Sequence, residues 1–206
     1  NIPSFFMVDF IGVYDKTIPP KYCKKIIDFF EDNKDLQFRG RYVVDGETIR
    51  DPKVKDSKDI TLYFNDETVP TTIISRVLDS YTDIYINTFR STEIVDSFSV
   101  EMGYNLQRYN PGQGYHLLHC ENYGRGIDRV LAWTIYLNTV TEGGGTYYPE
   151  YEKIIDAVEG RLCIFPAFWT HSHKGIVSDT QTKYIATGWY IYCLLYTSPS
   201  PRDMWT

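Results

Sequence analysis

Apolar residues recur at Cys23, Ile26, Ile27 and Phe30 behind the pair Pro19-Pro20, which is the i, i+3, i+4, i+7 spacing of one helix face. The spacing predicts a helix that starts at a proline and ends near Asn33. A second stripe, Ile74, Val77, Leu78, Tyr81 and Tyr85, follows Pro70 and predicts a helix running towards Phe89, with Thr71 and Thr72 as candidate caps. Both stripes are amphipathic, so each helix is expected to cover a sheet. Between them, residues 42–44, the turn pair Asp45-Gly46 and residues 60–64 read as strands, separated by a charged loop from Arg50 to Asp59 that is expected to be solvated. From Ile94 onward the period changes. Residues 98–100, 106–109, 130–137, 161–165 and 183–191 are apolar runs punctuated by Pro111-Gly112, Gly143-Gly144-Gly145 and Gly160. That pattern predicts a mainly β protein with supporting helices, its last third a β-barrel or sandwich.

The length of 206 residues favours one domain, with helical and strand support over 1–93 and a β core over 94–192. A hydrophobic share of 43% and a charged share of 23% are those of a globular chain. The 21 Lys and Arg against 27 Asp and Glu give a net charge of −6, so the charge signature of a non-specific nucleic-acid or anionic-membrane binder is missing. No apolar run approaches a membrane span, and Asn1-Ile2-Pro3-Ser4 does not read as a signal peptide. The lack of an initiating Met suggests a fragment. Cys23, Cys120, Cys163 and Cys193 form no CxxC pair, which favours a reduced, cytoplasmic setting. Residues 193–203 break every element pattern and resemble a translated transposon-type sequencing adapter, so 193–206 are read as a non-native tail, the alternative being a genuine Pro-rich terminus.

Histidine is scarce: His116, His119, His171 and His173 form two pairs inside the strand-rich half. In an extended chain residues two apart project to one side, so His119 and Glu121 can reach one ion. A non-haem iron centre needs two neutral imidazoles and a carboxylate on one face of an octahedron. His173, 52 residues further along, is the candidate third ligand. Lys183 opens the last apolar run, where a cation in a mostly buried groove demands an anionic partner such as a dicarboxylate. His116 is expected to pack or hydrogen-bond nearby. Cys120 alternates away from the pair and reads as a structural thiol. The glycine run 143–145 has no phosphate-binding Lys-Ser/Thr after it and reads as a tight turn, whereas Tyr123 to Gly126 reads as a lip over the site.

Taken in order, Leu106-Gln107-Arg108-Tyr109, Pro111-Gly112-Gln113-Gly114-Tyr115, His119-Cys120-Glu121, Arg129 leading to Thr134-Ile135-Tyr136-Leu137-Asn138, Gly143 to Thr146 with Pro149, Gly160 to Pro166, and His173 with Lys183-Tyr184 form a pattern. By this pattern, residues 106–192 resemble the prolyl 4-hydroxylase-like branch of the iron(II)- and 2-oxoglutarate-dependent dioxygenases, of microbial or viral type. The stretch before Ile94 matches weakly. The resemblance implies a double-stranded β-helix (jelly-roll) core, iron(II) on His119, Glu121 and His173, 2-oxoglutarate as cosubstrate and ascorbate as a reductant. It also implies that Lys183 grips the remote carboxylate of 2-oxoglutarate, with Tyr109 and Thr146 lining the same pocket. The ten-residue interval from His173 to Lys183 matches the family's spacing, which favours His173 over His171; alternation alone does not separate them.

One departure stands out: the family's usual carboxylate is Asp, and Glu121 is one methylene longer. The implied reaction hydroxylates an unactivated C–H, with succinate and CO2 as co-products. Its implied substrate is a prolyl residue in a peptide or protein, and a free amino acid or other small metabolite is the alternative. The rival to any enzyme is a catalytically silent β-barrel binding module, and a cupin-like zinc or manganese protein is a third reading. Trp133, Tyr147, Tyr148, Trp169 and Trp189 either line the cavity or form plain core, and Arg129 is left without a role. No nucleic-acid or membrane partner is expected, a host cell cytoplasm is the implied location if the chain is viral, and the oligomeric state stays open.

Overall fold

Strand β1 (Gly12–Tyr14) leads into α1 (Pro20–Asp32), where Pro19 is the extended cap residue and Pro20 takes a first-turn position in which its missing N–H is no loss. The computed structural model describes residues 8–44 and 47–193. The turn expected at Asp45-Gly46 and residues 194–206 of the suspected tail lie outside the described residues. Cys23, Ile26 and Phe30 are buried as the stripe requires, and each fully buried Ile or Phe contributes about 1.5–3 kcal/mol.

The short strands β2 (Phe38–Arg39), β3 (Tyr42–Val44) and β4 (Glu47–Ile49) precede β5 (Lys58–Tyr63). The charged stretch before β5 is not the solvated loop its composition suggests. Lys55, Ser57 and Asp59 are buried, with Lys55 Nζ 2.8 Å from Asp59 Oδ2. Their charges face each other in the wall of a cavity, which is what makes their burial tolerable. Helix α2 (Val69–Thr88) is capped by Thr68 rather than Thr71 or Thr72: Thr68 Oγ1 accepts from the Thr71 N–H at 3.3 Å. The Thr71 hydroxyl turns inward instead, 2.9 Å from the Tyr104 hydroxyl.

The two runs expected at 98–100 and 106–109 are one long strand, β6 (Phe98–Tyr109). It is followed by β7 (Arg129–Tyr136), β8 (Thr146–Tyr148), β9 (Lys153–Ile155), β10 (Arg161–Pro166), β11 (Lys174–Gly175) and β12 (Lys183–Tyr192). All pairings are antiparallel. The major sheet runs β1-β10-β7-β12-β6-β5-β2, and a minor sheet, β11-β8-β9, completes the double-stranded β-helix. Three strands of the major sheet, β1, β2 and β5, come from before residue 94, so the sheet crosses the seam expected between support and core. Among the described residues no helix is long and apolar enough to cross a membrane.

The major sheet is buried on both faces. Leu106, Leu131, Trp133, Ile135, Leu162, Ile164, Ala186 and Tyr190 meet α1 and α2 through Ile26, Phe30, Ile74 and Leu78. The alternating residues Tyr109, Ala132, Tyr136, Cys163, Phe165 and Ile185 face the other way with Tyr148 and Ile155 of the minor sheet. This two-sided burial explains why β7 and β10 read as continuous apolar runs, while their period-2 alternation sends every second residue into the barrel. Gly188 pairs with Trp133, and a Cβ there would lie 2.7 Å from the indole, so the ring fills the place a side chain would take.

Candidate active site

His119 and His173 meet as an antiparallel bridge: His119 N–H donates to the His173 carbonyl at 3.0 Å and His173 N–H to the His119 carbonyl at 2.8 Å. The N–H groups of Glu121 and Asn122 both donate to the Ala167 carbonyl, each at 2.9 Å, so the stretch carrying the pair is pinned to the end of β10. The side chains converge. Glu121 Oε1 lies 3.3 Å from His119 Nε2 and 3.5 Å from His173 Nε2, and one donor atom from each residue lies within 4.8 Å of the other two.

The imidazoles are oriented from behind. His119 Nδ1 lies 2.9 Å from the Leu117 carbonyl and His173 Nδ1 lies 2.9 Å from the His171 carbonyl. A carbonyl only accepts, so each Nδ1 carries the proton and each Nε2 presents a lone pair to the shared space. Burial lowers the pKa of His173, and the neighbouring His119 lowers it further, which favours the neutral ring. Burial by itself would raise the Glu121 carboxyl; hydrogen bonds and charge from His119 and His173, which those rings supply only when Nε2 is also protonated, outweigh it and hold the group well below the usual carboxylate range, and a metal ion in place of those protons would do the same. Two imidazoles and an ionised carboxylate on adjacent corners are a donor set that fits iron(II) and leaves half of an octahedron open.

The other histidines are elsewhere. His171 Nε2 meets the Asp9 carbonyl at 2.6 Å and the Tyr151 hydroxyl at 3.2 Å, and its Nδ1 meets the Thr170 hydroxyl at 3.0 Å, so it faces neither ion nor cavity. His116 is exposed. Cys120 is half-buried rather than fully enclosed, and among the described residues no disulfide forms. The Tyr115 ring stacks on His119 at 3.9 Å between centroids.

A cavity of about 340 Å³ opens from the triad into the barrel, lined among others by Lys183, Tyr109, Thr146, Tyr136 and Gln107. Lys183 is 7% exposed, and among the described residues no carboxylate lies within ion-pair distance of its ammonium. Its Nζ sits 4.8 Å above the Tyr109 ring, and burial pushes its pKa down to about 8. The Tyr109 hydroxyl donates to Gln107 Oε1 at 2.8 Å, and the Thr146 hydroxyl lies 2.6 Å from that of Tyr136. An unpaired buried cation with hydroxyls nearby is a receptor for a carboxylate. The cavity therefore fits a metal at one place and an anion at another.

Residues 104–191 match the family model of the 2OG-Fe(II) oxygenase superfamily. The chain carries a 2OG-Fe(II) oxygenase domain. The domain is that of a 2-oxoglutarate-dependent dioxygenase, and its cofactors are the iron(II) and 2-oxoglutarate that the family implies. In fold, the oxygenase is similar to a prolyl hydroxylase from Trichoplax adhaerens in complex with a hypoxia inducible factor peptide fragment, with a TM-score of 0.70 and 16% identity over 89% of this chain and 84% of that one. It is similar to a Pseudomonas putida prolyl-4-hydroxylase, with a TM-score of 0.66 and 12% identity over 90% and 94% of the two chains. A viral collagen prolyl hydroxylase from Paramecium Bursaria Chlorella virus-1, in its 2OG complex, gives a TM-score of 0.61 and 17% identity over 89% and 97%. No curated protein matches the chain in sequence.

Sequence reasoning missed several residues of the oxygenase cavity. Gln107 is two residues from Tyr109 on β6, so strand alternation could have found it, whereas Tyr136 on β7 had no expected cavity residue to be counted from. Trp189, left open between cavity and core, lines the cavity and donates its indole N–H to Glu121 Oε2 at 2.8 Å. Trp133 is core, Tyr148 packs its ring 5.4 Å from His173, and Trp169 is 76% exposed. The Lys55–Asp59 pair in the wall, with Gln107 Nε2 donating to Asp59 Oδ2 at 3.2 Å, has no local signal at all. The lip 123–126 forms a single 3-10 turn over 124–126, and Tyr123 and Gly126 reach the cavity.

Proposed function

We propose that this oxygenase hydroxylates a prolyl residue within a peptide or protein, with iron(II) on His119, Glu121 and His173 and 2-oxoglutarate held by Lys183, Tyr109 and Thr146. The observation that carries this reading is the opening of two imidazole nitrogens and one carboxylate oxygen onto the cavity that also holds an unpaired lysine. Bound together, iron(II), 2-oxoglutarate and dioxygen supply an oxidative decarboxylation to succinate and CO2 that puts an oxygen atom into a C–H bond. The protein's own part is positional. His119 and His173 present their Nε2 atoms because the backbone carbonyls hold the opposite protons. Lys183 neutralises an anion in a pocket where water would otherwise compete. The aromatic rings of Phe38, Tyr42, Tyr115, Tyr123 and Trp189 along the cavity suit the flat, apolar faces of a prolyl ring. The names of the three similar folds given above, each a prolyl hydroxylase, support the choice of substrate.

Anaerobic titration of the full chain with iron(II) and then 2-oxoglutarate tests the site, with the metal-to-ligand charge-transfer band as readout. A band that grows with 2-oxoglutarate is expected. No band with metal bound points to a cupin-like metalloprotein, and no metal binding points to a silent binding module. For the substrate, succinate release with ascorbate present is compared between Pro-containing peptides and free amino acids. Stimulation by peptides alone is expected, and stimulation by free proline alone overturns the peptidyl reading.

A further inference from the structure

The two oxygens of a glutamate carboxylate can both turn to one ion. A carboxylate that chelates through both oxygens takes two metal positions. A chelating cosubstrate would then leave no position for dioxygen on an octahedral ion. The structure already divides the two oxygens. Oε1 of Glu121 is the atom 3.3 and 3.5 Å from the two imidazole nitrogens, while Oε2 accepts the Trp189 indole N–H at 2.8 Å. The indole is itself held. The Arg129 guanidinium lies 3.5 Å over its ring and 3.8 Å from Glu121 Oε2, and Arg129 Nε donates to Glu101 Oε2 at 3.2 Å.

We propose that Trp189, backed by Arg129, is a positioning residue that ties down the outer oxygen of Glu121 and so makes this longer carboxylate a one-oxygen metal donor. The proposal rests on the metal-site reading above. It assigns a role to Arg129 and explains how the chain accommodates glutamate: the extra methylene carries Oε2 to the indole, and the Glu101–Arg129 pair keeps the indole from yielding.

The test is a calorimetric titration of the metal-free full chain with Co2+ alone, using wild type, Trp189→Phe, Glu121→Asp and the double variant, with far-UV circular dichroism to verify folding. Trp189→Phe is expected to weaken Co2+ binding about tenfold or more in the wild-type background. In the Glu121→Asp background, whose shorter side chain cannot reach both metal and indole, the same change is expected to weaken it less than about twofold. Equal weakening in both backgrounds, or an unchanged affinity in the first, overturns the proposal. No Co2+ binding by the wild type overturns the metal-site reading and the proposal with it. If Trp189→Phe does not fold, Arg129→Gln replaces it. That variant frees the indole without removing it and is expected to weaken Co2+ about threefold with Glu121 present and not in the Glu121→Asp background; equal effects again overturn the proposal.

Discussion

At the scale of single residues, Lys183 shows how burial can prepare a group for a ligand. Its ammonium is buried over the Tyr109 ring, and the loss of hydration pushes its pKa down to about 8. The charged form is the one that attracts a carboxylate. In the free enzyme that form dominates below about pH 8 and falls tenfold per pH unit above it. The dissociation constant of 2-oxoglutarate is therefore expected to be flat below that point and to rise as pH climbs past it, measured with Co2+ bound and saturating. A flat profile to pH 10 would mean that another group holds the cosubstrate. Lys183→Ala is expected to raise the constant about 100-fold, since it leaves a buried carboxylate unpaired. Lys183 was readable from its place at the head of an apolar strand, as was the His119–Glu121 pair from its spacing. The distal histidine was readable only through the family's spacing from His173 to Lys183, because His171 and His173 share one strand face by alternation. Folding separates them: both ring nitrogens of His171 are already engaged, by Asp9 and Tyr151 on one side and Thr170 on the other.

At the scale of elements, the two faces of the major sheet divide the work. Ile26 on α1 packs against the face turned away from the cavity. Ile26→Ala is expected to destabilise the fold by about 2–5 kcal/mol in urea denaturation while leaving the affinity for 2-oxoglutarate unchanged. A parallel loss of affinity would show that the helices tune the site through the sheet. The elements legible in advance were those long enough to show a period. Both helices, β7, β10 and β12 fall into this class, since a stripe or an apolar run over five or more residues has few other solutions. Strands β1, β2, β4, β8, β9 and β11 have two or three residues each. Such stretches have no detectable period; they are strands only because a neighbour presents an edge.

At the scale of the whole molecule, the triad joins two stretches that are far apart in the chain, so an ion bound there favours the folded state over the unfolded one. Co2+ at 100 times its dissociation constant is expected to add about 2.7 kcal/mol of stability, read as a rise in Tm that EDTA reverses. His173→Ala is expected to abolish that rise; an undiminished rise would place the ion elsewhere. What the order of residues carries unaided is local: period, turn chemistry, and the side of a strand on which a residue stands, because these depend on neighbours within a few positions. The convergence of His173 on His119, the reach of Gln107 to Asp59 and the grip of Trp189 on Glu121 each join residues from separate stretches of chain. Those contacts exist only once the antiparallel registers are set, and register is a property of paired strands that no single stretch possesses.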